Sequence, residues 1–184
     1  MAAMSSRVEI VRYDLAWPGR FNQLATQLRS ALGATARRID HIGSTAVPGL
    51  DAKPVIDIQI SVGDLEPVND YGVALASLGY VFRPNNPDRT KRYFREAPGQ
   101  PRTHIHVRPY GSWAEQFALL FRDFLRAHRA EAGRYQALKY ELAARYGEDR
   151  EGYSRAKGPF IWEVIQLADR WSQEVGWRPG PSDA

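Results

Sequence analysis

The stretch from His41 to Ser61, HIGSTAVPGLDAKPVIDIQIS, leaves its backbone few choices. Val55-Ile56-Asp57-Ile58-Gln59-Ile60-Ser61 alternates strictly, which fits a strand and no helix. Ile56, Ile58 and Ile60 then face a core, while Asp57, Gln59 and Ser61 share the other face. Before it, a second strand ends at Ile42 and runs into Gly43-Ser44. Gly43 allows a turn that a Cβ would obstruct and lets a ligand approach the main chain. Ser44 and Thr45 add hydroxyls beside outward backbone N–H groups, a natural cradle for phosphate oxygens. Lys53 adds a positive charge, and Pro54 holds it extended ahead of the strand.

A carboxylate on a strand opposite such a turn can hold Mg²⁺ against a nucleoside triphosphate. The same residues also describe a plain tight turn with a solvent-facing Asp57. These residues alone leave both readings open.

The rest of the chain supplies one domain's worth of core. Its 184 residues are 43% hydrophobic and 25% charged, which is ordinary for a globular chain. With no Cys, disulfides, thiolate zinc sites and a cysteine nucleophile are excluded. No apolar run reaches membrane-span length, and the first residues lack a secretion signal, so the expected compartment is the cytoplasm with no membrane partner. The net charge of +4 is spread along the chain and interleaved with acids. A basic pocket for a small anion accounts for it as well as nucleic acid does, and no established nucleic-acid motif is present.

In chain order, Val8, Ile10 and Tyr13 predict a short leading strand. A helix follows from Trp17-Pro18 to Gly33, with Phe21, Leu24, Leu28 and Leu32 as its apolar stripe. Asp14 and Trp17 read as a turn cap and a core residue. Asp64 predicts a cap for a second helix, with Pro67 in its first turn and Gly79 at its end. Tyr80 to Arg83 reads as a strand. Arg89, Lys91, Arg92 and Arg95 surround Tyr93 and Phe94 on the next one. This is either a charged edge strand that deters aggregation or a basic wall for triphosphate. Arg102 to Pro109 reads as its antiparallel neighbour, with His104, His106 and Arg108 on one face. Two His at strand spacing form a candidate metal or proton-transfer pair.

From Ser112 the period lengthens to that of helices, with Glu115 placed for a capping box. Trp113, Phe117, Leu120, Phe121, Phe124 and Leu125 form a broad apolar stripe, and Arg122, Asp123, Arg126 and His128 sit largely off it, most of them reading as surface. Helices follow over about 130–146 and 149–156, and one more begins after Lys157. Lys157, just ahead of that helix, is either a phosphate contact or an exposed loop lysine. The predicted architecture is α+β. A small mixed sheet with flanking helices occupies 1–111, a helical subdomain 112–177, and a disordered Pro/Gly tail 178–184.

Gly43-Ser44, twelve further residues and then Asp57 between hydrophobics resembles the signature of the nucleotidyltransferase superfamily, the polymerase β-like fold. HIGSTAVPGLDAKPVIDI more closely resembles the GrpB family (UPF0157). So do Tyr13-Asp14, Trp17-Pro18, His104-Ile105-His106-Val107, the Phe121–Arg126 run, and Lys157 with Phe160-Ile161. The resemblance implies a metal-dependent transfer of a nucleoside monophosphate from a triphosphate to a small acceptor. Gly43 and Ser44 would hold phosphates, with Asp57 on Mg²⁺ or Mn²⁺, and Lys53 and the Arg89–Arg95 group neutralising charge. Gln59 stands where the superfamily has a second acid. An amide offers an oxygen but no charge. His104 or His106 then completes the metal sphere, with Asp57 and His106 as the expected ligands. The alternative is a nucleotide-binding module that has lost catalysis, accessory to coenzyme A metabolism through the family's association with dephospho-CoA kinase.

Overall fold

A computed structural model describes residues 7–184. Helix α1 (Trp17–Leu32) begins with Pro18, whose missing N–H is not needed in a first turn, and stops at Gly33 with φ 51°. It buries Phe21, Ala25, Leu28 and Leu32 against the sheet. The Asp14 carboxylate accepts from the Ala16 N–H at 2.8 Å and Trp17 is in the core, as the sequence predicts.

The sheet has five strands among these residues: β1 (Arg38–Ile42), β2 (Ile56–Val62), β3 (Tyr80–Phe82), β4 (Arg92–Glu96) and β5 (Thr103–Pro109), in the order β1-β2-β5-β4-β3. The β2–β5 pair is parallel and the others antiparallel, so the sheet is mixed. One face carries Ile39, Ile56, Ile58, Ile60, Ile105, Val107 and Phe94 into a core shared with α1 and α2 (Asn69–Ser77). Such wholly buried aliphatic side chains contribute about 1.5–3 kcal/mol each.

The opposite face is half covered. Helix α3 (Trp113–Ala127) lies on it, capped by Ser112, whose hydroxyl accepts from the Glu115 N–H at 3.3 Å. Glu115 turns back to accept from the Gly111 N–H at 2.6 Å. Beyond it come α4 (Arg129–Tyr146), α5 (Arg150–Ala156) and α6 (Gly158–Val175). These helices share a second core with Val47 and Leu50, from the loop between β1 and β2. The helical part therefore grips the segment that leads into β2.

Four expectations change. The leading strand reduces to one bridge, Val11 with Ala52. Its neighbours take other partners: Tyr13 N–H donates to Asp51 Oδ1 at 2.9 Å and Val8 N–H to the Gly147 carbonyl at 2.8 Å. The second helix starts at Asn69 rather than after Asp64, with Val68 as its N-cap and Pro67 ahead of it rather than inside its first turn. Arg122 is 3% exposed instead of on the surface. Its Nη1 donates to the His41 carbonyl at 3.1 Å and to Asp183 Oδ2 at 2.9 Å.

The fourth change is the tail 178–184, expected to be disordered. It lies along the outer edge of β1. The Ile39 N–H donates to Ser182 Oγ, and the His41 N–H to Asp183 Oδ2, both at 2.9 Å. Edge-strand donors are thereby satisfied by side chains, which composition cannot reveal. Removing residues 180–184 is expected to destabilise the fold by about 1–3 kcal/mol, since Arg122 loses one of its acceptors and two strand donors lose theirs. Urea unfolding of full-length and truncated chains measures this, and an unchanged midpoint would show the contacts contribute nothing.

Candidate active site

Asp57 lies near the start of β2, opposite Ile42 in the antiparallel register and hence beside Gly43. Gly43 has φ 71° and ψ −172°, a region that is nearly exclusive to glycine. A Cβ there would lie 2.7 Å from Asp57 Oδ2. The missing side chain is what lets carboxylate and turn touch.

The sheet sets the neighbours in two rows. Asp57 pairs in register with His104, which pairs with Arg95. Gln59 pairs with His106, which pairs with Tyr93. His104 Nδ1 is 3.1 Å and His106 Nε2 3.3 Å from the same oxygen, Asp57 Oδ1. Burial alone would raise the Asp57 pKa, but the two imidazoles outweigh it and hold the carboxyl well below the usual range. Burial pushes His106 down to about 4, against the pull of Asp57. At neutral pH this is a carboxylate facing a neutral imidazole. The Tyr93 ring closes the far side, 5.6 Å from His104 and 5.3 Å from His106 between centroids.

A cleft of about 270 Å³ opens from this point toward the helices. Gly43, Ser44, Asp57 and His104 line its sheet side; Lys53 enters from the loop, and Tyr135, Lys139, Tyr153 and Lys157 from α4, α5 and the start of α6. Lys53 and Lys157 sit 4.9 and 4.6 Å from the Tyr153 ring centroid. The buried Lys139 donates to the Asp51 carbonyl. Burial together with neighbouring ammonium groups pushes Lys139 down to about 7 and Lys157 down to about 8. Three lysines thus line the cleft that holds the Asp57 carboxylate, two of them, Lys53 and Lys157, drawn to its charge.

Of the residues singled out from sequence, Gly43, Ser44, Lys53, Asp57, His104 and Lys157 meet in this cleft, and His106 stands behind Asp57. Thr45 also borders it, but its hydroxyl donates to the Val55 carbonyl and pairs with His41 Nε2, both at 3.0 Å. That hydroxyl braces the turn and is not free for phosphate. Gln59 is wholly buried under α3, its amide donating to the Glu115 carbonyl at 3.3 Å. The basic group divides. Arg95 is in the Asp57 row, held by Glu96 at 2.8 Å, and Lys91 lies over Tyr93. Arg92 instead pairs with Glu66 at 2.6 Å and borders a separate pocket with Arg89. Alternation along β4 turns Arg92 away from Arg95, and Arg89 precedes the strand, so neither lines the cleft.

Sequence reasoning missed Lys139, Tyr135 and Tyr153. A signal existed for Lys139: it follows Tyr135 by four positions, which places it on the same buried helix face. Arg122 and Arg126 were missed as fasteners. They donate to the carbonyls of His41 and Ala46, on either side of Gly43-Ser44.

The donor set tests the ion the fold leads one to expect. Mg²⁺ favours an octahedron of oxygens and is held by carboxylates and phosphates. Asp57, His104 and His106 offer one oxygen and two nitrogens, all within 4.8 Å of one another. They fit a divalent ion that accepts imidazole and do not fit Mg²⁺.

Residues 7–167 match the family model described as GrpB protein. A UPF0157 protein of Pseudomonas aeruginosa is 40% identical over 170 residues, covering 90% of this chain and 69% of that protein. A dephospho-CoA kinase of Mycobacterium tuberculosis is 34% identical over 196 residues, covering 92% of this chain and 48% of the kinase. The chain thus spans about half the length of that relative. The crystal structure of GrpB from Enterococcus faecalis superposes with a TM-score of 0.79 at 30% identity, covering 89% of this chain and 99% of that one. A terminal uridylyl transferase of Trypanosoma brucei superposes at TM-score 0.52 and 13% identity, covering 81% and 53%. The fold is therefore nucleotidyltransferase-like.

Two outcomes test the turn. Gly43→Ala is expected to cost roughly 1–3 kcal/mol in urea unfolding and to displace Asp57; unchanged stability would mean the contact is slack. His41, stacked on Phe21 at 4.7 Å, is pushed down by burial to about 4. Its folded pKa lies below the unfolded value, so the unfolded chain takes up the proton first as pH falls. Stability should therefore decline between pH 6.5 and about 4, by on the order of 2–3 kcal/mol from this residue. A His41→Gln variant should flatten that stretch of the profile; an identical slope would remove His41 as the cause.

Proposed function

The chain belongs to the GrpB family, and on that footing we propose that it binds a nucleoside triphosphate in the cleft between Gly43-Ser44 and the lysines and transfers the nucleoside monophosphate to a small acceptor. One observation carries this: the turn, Asp57 and three lysines converge on a single cleft. A triphosphate is the kind of ligand that three ammonium groups and a turn's backbone donors suit. Ser44 and the main chain at Gly43 bind phosphate oxygens. Lys53 and Lys157 flank the chain of phosphates, held in place by the Tyr153 ring between them. Tyr135, whose hydroxyl reaches Ser44, fixes that side chain's orientation. Asp57 stands where a divalent ion would offset charge on the departing pyrophosphate. The acceptor, a hydroxyl or phosphate, approaches past Tyr93 and Arg95.

A second reading, nucleotide binding without turnover, draws on Gln59 in the place of a second acid. The kinship with half of a dephospho-CoA kinase makes coenzyme A metabolism its natural setting.

The lysines provide a specific test. An anion raises their pKa values, so at pH 8 binding should take up about one proton per complex, and affinity should fall as pH rises from 7 to 9. Calorimetry of ATP binding in buffers of different ionisation enthalpy measures this. Lys157→Ala should weaken ATP about tenfold or more, the loss of a charge-assisted contact. Pyrophosphate release with ATP separates the two readings. Binding with no proton uptake and no effect of Lys157→Ala would rule the cleft out as the triphosphate site.

A further inference from the structure

We propose that Asp57, His104 and His106 form the coordinating face for a divalent transition-metal ion of the Mn²⁺-to-Zn²⁺ series, with Gln59 as the outer partner of His106, and that this face discriminates against Mg²⁺. The inference rests on the nucleotide reading for what the ion does there, and not for which ion it is.

The spacing comes first. Donor atoms about 2.1 Å from one ion stand roughly 3.0–3.4 Å apart in octahedral or tetrahedral arrangements. Asp57 Oδ1 is 3.1 Å from His104 Nδ1 and 3.3 Å from His106 Nε2. Both histidines project from one strand, and pairing with β2 on one side and β4 on the other fixes their register with Asp57. The strands thus hold the three donor atoms within 4.8 Å of one another. The chemistry follows: two imidazoles and one carboxylate favour Mn²⁺, Co²⁺ or Zn²⁺, whereas Mg²⁺ sheds its water reluctantly and gains little from nitrogen.

Unpartnered atoms point the same way. His106 Nδ1 and His104 Nε2 are buried without partners, and so is Gln59 Oε1 on the β2 position paired with His106. In the ion-free protein His106 donates its Nε2 proton to Asp57, which leaves Nδ1 a bare acceptor. Coordination through Nε2 moves the proton to Nδ1, giving the Gln59 oxygen a donor where it has none. Ligating histidines nearly always donate their second N–H in this way. The Gln59 amide is anchored through its Nε2 on the Glu115 carbonyl, which leaves its oxygen as the unpartnered acceptor across the strand pair from His106. Gln59 is then a positioning residue, one shell behind the ion.

The test titrates the full chain, stripped with EDTA and free of nucleotide, at pH 8 with Co²⁺, Zn²⁺, Mn²⁺ and Mg²⁺. Co²⁺ should give visible absorption bands, and Co²⁺ and Zn²⁺ should bind about 100-fold or more tightly than Mg²⁺. His104→Asn and His106→Asn should each weaken Co²⁺ by about tenfold or more, and Gln59→Leu by about tenfold with a shifted spectrum. Mg²⁺ binding as tightly as Co²⁺, or folded histidine variants with wild-type affinity, would overturn the inference. If a variant does not fold, nitrogen couplings in the pulsed paramagnetic resonance of the wild-type Cu²⁺ complex decide, and their absence overturns it. ATP binding is measured separately in EDTA. Loss of ATP binding with the Co²⁺ site intact would sink the nucleotide reading and leave this one standing.

Discussion

A single close approach organises the molecule: the Asp57 carboxylate against the bare α-carbon of Gly43. It needs a positive φ at Gly43 and an antiparallel register that puts Ile42 opposite Asp57. Much of the surrounding structure serves to hold those two conditions. His41, Thr45 and the Val55 carbonyl form a buried hydrogen-bonded chain under the turn. Arg122 and Arg126 take the carbonyls of His41 and Ala46, and Asp183 keeps Arg122 in place. Buried polar groups are costly when left unpaired, so this chain has few alternative arrangements.

The helices after the sheet add charge to that geometry. Their core includes Val47 and Leu50, so packing them draws Lys139 and Lys157 over the turn. Once assembled, the lysines repel one another and are partly desolvated, which lowers their proton affinity. Those costs are relieved when an anion arrives. The same desolvation and repulsion would favour a highly charged anion over a neutral ligand in this cleft.

The sequence made the sheet and the turn legible because both rest on local rules. Alternation in Val55–Ser61 and in Thr103–Arg108 set which side chains share a face, and Gly43 marked the bend. The period of Trp113 to Leu125 gave α3. What escaped depends on partners distant in sequence. Lys139 lies in an apolar stripe because Asp51, 88 residues away, supplies its acceptor. Arg122 is buried because β1 and the tail supply carbonyl and carboxylate. The tail is ordered because β1 is an edge strand with donors facing outward. Arg89 and Arg92 failed for a different reason. The alternation that separates Arg92 from Arg95 was visible, but which face carried the site was not.

Gln59 illustrates how the surroundings choose a residue. The superfamily pattern sets an acid there, yet in this chain the position is sealed under α3, opposite the Glu115 carbonyl. That carbonyl, already within the α3 ladder, takes a second donor from the Gln59 amide, which an ionised carboxylate could not supply. A second acid would meet it with like partial charge, in a place with no water to screen the repulsion. The amide satisfies the carbonyl and keeps one oxygen directed elsewhere. What stands at position 59 is thus set by how closely α3 packs on β2, and Asp57 has the two imidazoles of β5, not a second acid, as its neighbours.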